Sequence, residues 1–263
     1  MAALCTATNA QTIDVGGPVS LNYKTQIVSS ESVVEMPSFD LEAVKQANAA
    51  NELSKVGPYM FGYEHQVNMD LNSSGEWSTL ANGDKIWRLQ VKSAGALSLN
   101  FVFSDFFIQE GANLNLYNLD RTSIVGAHTS ANNNVNNELG TDLIKGEECI
   151  IEYYEPKNVL GQGRLLLTMV VHGYRDINNF YNAKGLNDSG GCNMDVLCPD
   201  GSPWIDQIRS VARIVNGGGV CTGTLVNNTA EYGTPYFLTA DHCSPQSMGS
   251  YVFQFNYVSP TCG

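Results

Sequence analysis

Charge is scarce in this chain. Only 15% of its 263 residues are charged, and Lys plus Arg number 14 against 26 acids, a formal net of -12. No Lys/Arg cluster interrupts that imbalance, so repulsion of phosphate excludes nucleic acid as a partner. Apolar runs of spanning length are absent too, which excludes a transmembrane helix and predicts no membrane partner. No internal repeat is visible at any period. Histidine is rare, four in all. His65, His128 and His172 fall among strands and turns without metal-ligand spacing, and structural roles are expected of them. A Cys-x2-4-Cys knuckle is missing, because Cys192 and Cys198 stand too far apart. No metal and no cofactor are expected.

What is present is apolar material and late cysteine. Hydrophobic residues make up 43%, enough for a sizeable core, and the length suits two domains, or one domain with a large appendage. Five of the seven cysteines lie after residue 190: Cys192, Cys198, Cys221, Cys243 and Cys262. That density predicts disulfides and an oxidising compartment. The first eleven residues read as the remnant of a secretory signal peptide, with small residues around Thr8 and Ala10 and the basic n-region missing. Cys5 is not expected to be lipidated, since Ala2 stands where a leucine belongs. A secreted location, extracellular or periplasmic, follows.

Residues 12–58 form an N-terminal segment with one helix, Phe39 to Ser54, capped by Ser38 and favoured at its positive end by Asp40 and Glu42. Residues 59–176 change character. Trp87, Leu89 and Val91 alternate with Arg88, Gln90 and Lys92, and Leu97, Leu99, Phe101 and Phe103 share one side. Leu114 to Asn118, Glu148 to Tyr154 and Leu165 to His172 are further strands, and Asn132 to Asn137 is a loop. Short strands divided by Gly and Asn turns predict a mainly β protein whose N-terminal domain is a jelly-roll-like β-sandwich. Cys149 reads as a buried small apolar residue. Trp77 and Trp87 read as core rather than a carbohydrate platform. Residues 177–191 are a polar, glycine-containing linker, and residues 192–263 a cysteine-rich domain with a strand at Arg209 to Val215.

The most informative segment runs from Cys221 to Cys243. It reads Cys-Thr-Gly-Thr-Leu-Val, a polar stretch ending in Gly-Thr-Pro, then Tyr-Phe-Leu-Thr-Ala-Asp-His-Cys. Two apolar runs, each with a cysteine, flank a turn-rich connection, the pattern of an antiparallel strand pair stapled by a disulfide. His242 ends the second run with little freedom, as a general base requires. The segment resembles the catalytic-histidine region of trypsin-like serine proteases, Cys-x-Gly-Ser/Thr-Leu followed by Thr-Ala-x-His-Cys. Ser189 to Pro199, Leu225 to Thr229, Phe255-Asn-Tyr and Thr261-Cys262 sharpen this into a resemblance to bacterial lysyl endopeptidases, specific over Ser189 to Gly263.

The resemblance implies that His242 is the general base, that Cys221 pairs with Cys243 and Cys198 with Cys262, and that the partner of Cys192 lies outside the chain. It implies a chymotrypsin-like β-barrel, of which residues 192–263 are the start, preceded by a β-sandwich propeptide that packs on it. Protein or peptide substrates would be cut through an acyl-enzyme, after lysine. Only 21 residues follow His242, with no aspartate, and Ser244, Ser247, Ser250 and Ser259 lack the Gly-Asp-Ser-Gly-Gly setting. The chain is therefore expected to be a precursor cut off inside its first barrel, inactive by itself. Asn187-Asp188-Ser189-Gly190-Gly191 mimics the nucleophile motif but precedes the histidine and sits in the linker. Asp241, in an extended strand, would point away from His242. Lys184-Gly185 is the expected processing site. The alternative readings are a non-catalytic secreted β-sandwich binding protein and a propeptide-type protease inhibitor.

Overall fold

The structure, a computed structural model, describes residues 17–23, 33–54, 57–181, 194–243, 248–258 and 262. After a 3-10 turn at Val19–Leu21 come β1 (Val33–Glu35), α1 (Leu41–Ser54), β2 (Tyr59–Met60), β3 (Gly62–Asp70) and β4 (Glu76–Thr79). Next follow β5 (Lys85–Lys92), β6 (Ser98–Phe107), β7 (Asn113–Tyr117), β8 (Ile124–His128), β9 (Leu139–Gly140) and β10 (Ile144–Lys145). Then come β11 (Glu148–Glu155), β12 (Arg164–Gly173), α2 (Ile205–Ser210), β13 (Val211–Asn216), β14 (Gly219–Val226), β15 (Tyr236–Thr239) and β16 (Val252–Phe255). The fold is mainly β.

Three sheets result. The first runs β1-β5-β11-β7-β8 with β4 also on β5, the second β10-β6-β12-β3 with β9 on β6, and the third β15-β14-β13-β16 with β2 on β14. Leu89, Val91, Leu116 and Ile151 of the first sheet share one buried cluster with Leu99, Phe101, Phe103 and Leu167 of the second. Burying large aliphatic and aromatic side chains against each other is the main stabilising term here, about 1.5–3 kcal/mol for each fully buried one.

The second sheet is buried on both faces, and a β-bulge explains how β12 serves both. Its pairing with β6 and β3 slips between Leu167 and Met169. An extra residue inverts the alternation. Leu165, Leu167 and Val170 therefore enter the first cluster, while Met169 and Val171 turn to the opposite side. There they meet Phe61, Val102, Leu143 and, from the third sheet, Val215.

Several local expectations are revised. The helix begins at Leu41, and Asp40 rather than Ser38 caps it, its Oδ1 accepting the Ala43 N–H at 3.0 Å. Phe39 is held outside by stacking on Tyr63, ring centroids 4.0 Å apart. Arg88 and Gln90, on the face opposite Trp87, Leu89 and Val91, are buried as well. On the same sheet, the 3-10 turn places the Ser20 N–H on Glu152 Oε1 at 2.9 Å, and Tyr117 donates its hydroxyl to Glu152 Oε2 at 2.7 Å. β1 pairs in parallel with β5, bringing part of the N-terminal segment into the first sheet. Arg209 and Ser210 end α2 instead of opening a strand. Trp87 and Cys149 are buried, whereas Trp77 is partly exposed and donates its indole N–H to the Leu71 carbonyl.

Candidate active site

β14 and β15 are the two apolar runs of the histidine segment, paired antiparallel with Gly223 opposite Thr239 and Val226 opposite Tyr236. Gly223 lies under the Phe237 ring, where a Cβ would come within 2.2 Å of a ring carbon. That close approach explains the glycine in Cys-Thr-Gly-Thr-Leu. Thr239 Oγ1 donates to the Thr222 carbonyl at 2.9 Å, closing the pair's end. Phe237 packs edge-on against Phe253 of β16, centroids 4.8 Å apart, and so ties β15 to the far strand of the sheet.

The chain leaves β15 through Ala240 into a 3-10 turn, Asp241–Cys243. Cys243 donates its N–H back to Ala240 O at 2.9 Å, and its sulfur is bonded to Cys221 of β14, Cα to Cα 5.9 Å. Buried Tyr251 donates its hydroxyl to the Cys243 carbonyl at 2.9 Å. The turn is thus fixed by a covalent bond and two hydrogen bonds. On it, His242 is exposed to solvent, with a ring nitrogen and the two disulfide sulfurs mutually within 4.8 Å. Sulfurs joined to each other offer no thiolate, so this trio does not hold zinc in the oxidised chain. An exposed imidazole on a rigid turn can accept a proton from a hydroxyl brought within hydrogen-bond reach.

Asp241 belongs to the same 3-10 turn rather than to an extended strand. A second disulfide joins Cys198 to Cys262, Cα to Cα 4.7 Å. Ser250 is buried in a 3-10 turn, its carbonyl against Gly140. Lys184, Gly185, Ser189, Cys192, Ser244, Ser247 and Ser259 lie outside the described residues.

Two histidines expected to be scattered converge instead. β3 and β12 are neighbours, and His65 and His172 end 6.5 Å apart between ring centroids, both edge-on to Phe39. His172 Nδ1 and the Ser93 hydroxyl are 2.8 Å apart. Burial lowers the pKa of His65, and burial then the neighbouring His65 hold His172 at about 4. His128, buried in β8, is likewise held at about 4. All three are neutral at pH 7, as packing groups would be. Sequence reasoning also missed Arg213, whose guanidinium stacks on Tyr257 at 3.6 Å and donates to the Ile177 carbonyl at 2.7 Å. A lone arginine in an apolar strand, Val-Ala-Arg-Ile-Val, was the available signal.

These features are those of a disulfide-bonded β domain. Residues 186–263 match the family model described as the lysyl endopeptidase C-terminal domain. A lysyl endopeptidase of Pseudomonas aeruginosa is 29% identical to the chain over 127 residues, covering 41% of the chain and 26% of that relative. The chain thus spans about a quarter of the length of this curated relative. No solved structure matches it. Among the described residues no helix is long and apolar enough to cross a membrane.

Proposed function

We propose that the chain is part of a secreted bacterial serine endopeptidase precursor that hydrolyses peptide bonds, preferentially after lysine, through an acyl-enzyme. The observation that carries this reading is His242, presented to solvent on a turn clamped by the Cys221–Cys243 disulfide and the Tyr251 hydroxyl. His242 takes the proton of a serine hydroxyl as the oxygen attacks the scissile carbonyl, and later returns it to the leaving amine. The serine, the aspartate that orients the imidazole and the lysine pocket are assigned to polypeptide beyond residue 263. The partial coverage of the relative supports this assignment. Residues 192–263 are then the first part of a chymotrypsin-like barrel, and residues 59–176 a β-sandwich propeptide. Residues 177–191 are the linker, cut between Lys184 and Gly185. Two disulfides support an extracellular or periplasmic location.

Peptide hydrolysis by the matured product of the whole gene tests the reading. Cleavage after lysine, an N-terminus at Gly185 and a loss of roughly 10⁶-fold in kcat for His242→Ala are expected. Undiminished turnover by His242→Ala would overturn it.

A further inference from the structure

The third sheet is held by the N-terminal region in two places. Its β13–β14 hairpin turns through Gly217, at φ +54, and Gly218. The backbone of that turn is bound almost wholly by the N-terminal region. Glu64 Oε1 accepts the Gly218 N–H at 2.9 Å, and Asn100 donates to the Gly217 carbonyl at 3.0 Å. Phe61 and Gly62 both donate their N–H groups to the Gly218 carbonyl, at 2.8 and 3.1 Å. β2 extends the third sheet by pairing Met60 with Gly219 and Tyr59 with Val220. Beneath these contacts Phe61, Met169 and Val171 pack on Val215, with Val220 and Val252 at the margin.

A second set of contacts lies along β16 and its approach. Gln254 donates to Asp142 Oδ1 at 2.7 Å. The Ser250 carbonyl sits where a Cβ on Gly140 would fall, 1.8 Å away. Arg213 binds the Ile177 carbonyl and Asn178 Oδ1, and Tyr257 donates its hydroxyl to Ile177 at 2.6 Å. Every N-terminal group named lies before residue 179, so a cut after Lys184 leaves the whole set intact. His242 is exposed to solvent with all of these contacts in place. β15 runs from Val226 to Gly223 along β14, and the histidine turn beyond it is tied to Cys221, next to the Gly219–Val220 end that β2 takes.

We infer that the N-terminal body is a lasting, non-occluding subunit of the C-terminal sheet: it holds the β13–β14 hairpin and β16, leaves His242 accessible, and stays bound when the linker is cut. Separation would strip partners from the buried backbone groups of Gly217 and Gly218, which keeps the halves together without a covalent link. From the proposed function this takes only the expectation of a linker cut.

The test inserts a site for a sequence-specific protease after Lys184 in the 263-residue chain. The cut halves should co-elute in size-exclusion chromatography down to nanomolar concentration. Diethylpyrocarbonate should modify His242 at the same rate, within twofold, before and after the cut, while His128 stays protected. Glu64→Ala with Gly140→Val should weaken the association at least 100-fold, with amide protection in β5 and β11 showing that the N-terminal body is still folded. Should Gly140→Val disturb that protection, Glu64→Ala alone is used, with at least tenfold weakening expected. Separation of the unmutated halves, undiminished association of the variant, or a His242 at least tenfold less reactive before the cut would overturn the inference. Failure of the mature protein to hydrolyse peptides would leave these readouts unaffected, so the two proposals fail separately.

Discussion

The body formed by residues 33–173 and the C-terminal region between residues 194 and 262 reach stability by different routes. The first buries a large cluster of its own, shares a smaller one with Val215 of the third sheet and keeps Cys149 as a buried free thiol. The second has a thin core and leaves Trp204, Tyr232, Tyr236 and Leu238 half exposed or more. Both described disulfides fall in that poorer region. Cross-links that restrict the unfolded chain matter most where too little apolar surface is buried to offset chain entropy. The C-terminal sheet therefore depends on its two cystines and on docking, the N-terminal body on packing.

Reduction offers the largest perturbation. The cystines close separations of 64 and 22 residues, for which the chain-entropy model gives about 4 and about 3 kcal/mol. Amide exchange in dithiothreitol should show β13 to β15 losing protection while β5 and β11 keep theirs. Uniform loss across both regions would break the comparison. Phe101→Ala, in the shared core, should cost about 3–5 kcal/mol in urea unfolding and act on the N-terminal body first. Protection in β5 unchanged by this substitution would count against a packing-based stability.

Acid sharpens the contrast further. His128 and His172 are held at about 4 by burial, against an ordinary 6.5. On falling pH the unfolded chain binds protons first, so their contribution is complete above pH 6.5 and is lost progressively down to about 4. His65 is shifted the same way. Calorimetry should show the N-terminal Tm falling through that window and levelling below it, and a flat profile would contradict their burial. The smallest effect is expected from Glu64→Ala, about 1–3 kcal/mol for the unpaired Gly218 N–H, read as faster exchange confined to the β13–β14 hairpin.

Much of this could be read from sequence where the determinants are local. Trp87, Leu89 and Val91 alternate and do face the core, and the Cys221 to Cys243 pattern depends on neighbours a few residues apart. The rest depends on distant partners. The apolar run of β12 does not disclose that a bulge splits it between two cores, and the alternation around Arg88 and Gln90 does not disclose that their face is buried too. Asn216-Gly-Gly-Gly reads as a turn without revealing that Glu64 and Asn100 bind it. His65 and His172 meet only because β3 pairs with β12, more than a hundred residues away in sequence. α2, six residues long, is too short to impose a helical period on the pattern.

Labelling with a fluorophosphonate serine-hydrolase probe tests the central claim most directly. The product of the whole gene should take one label, which His242→Ala removes, and the 263-residue chain should take none. A label on Ser189 of the 263-residue chain, or labelling that survives loss of His242, would contradict the account.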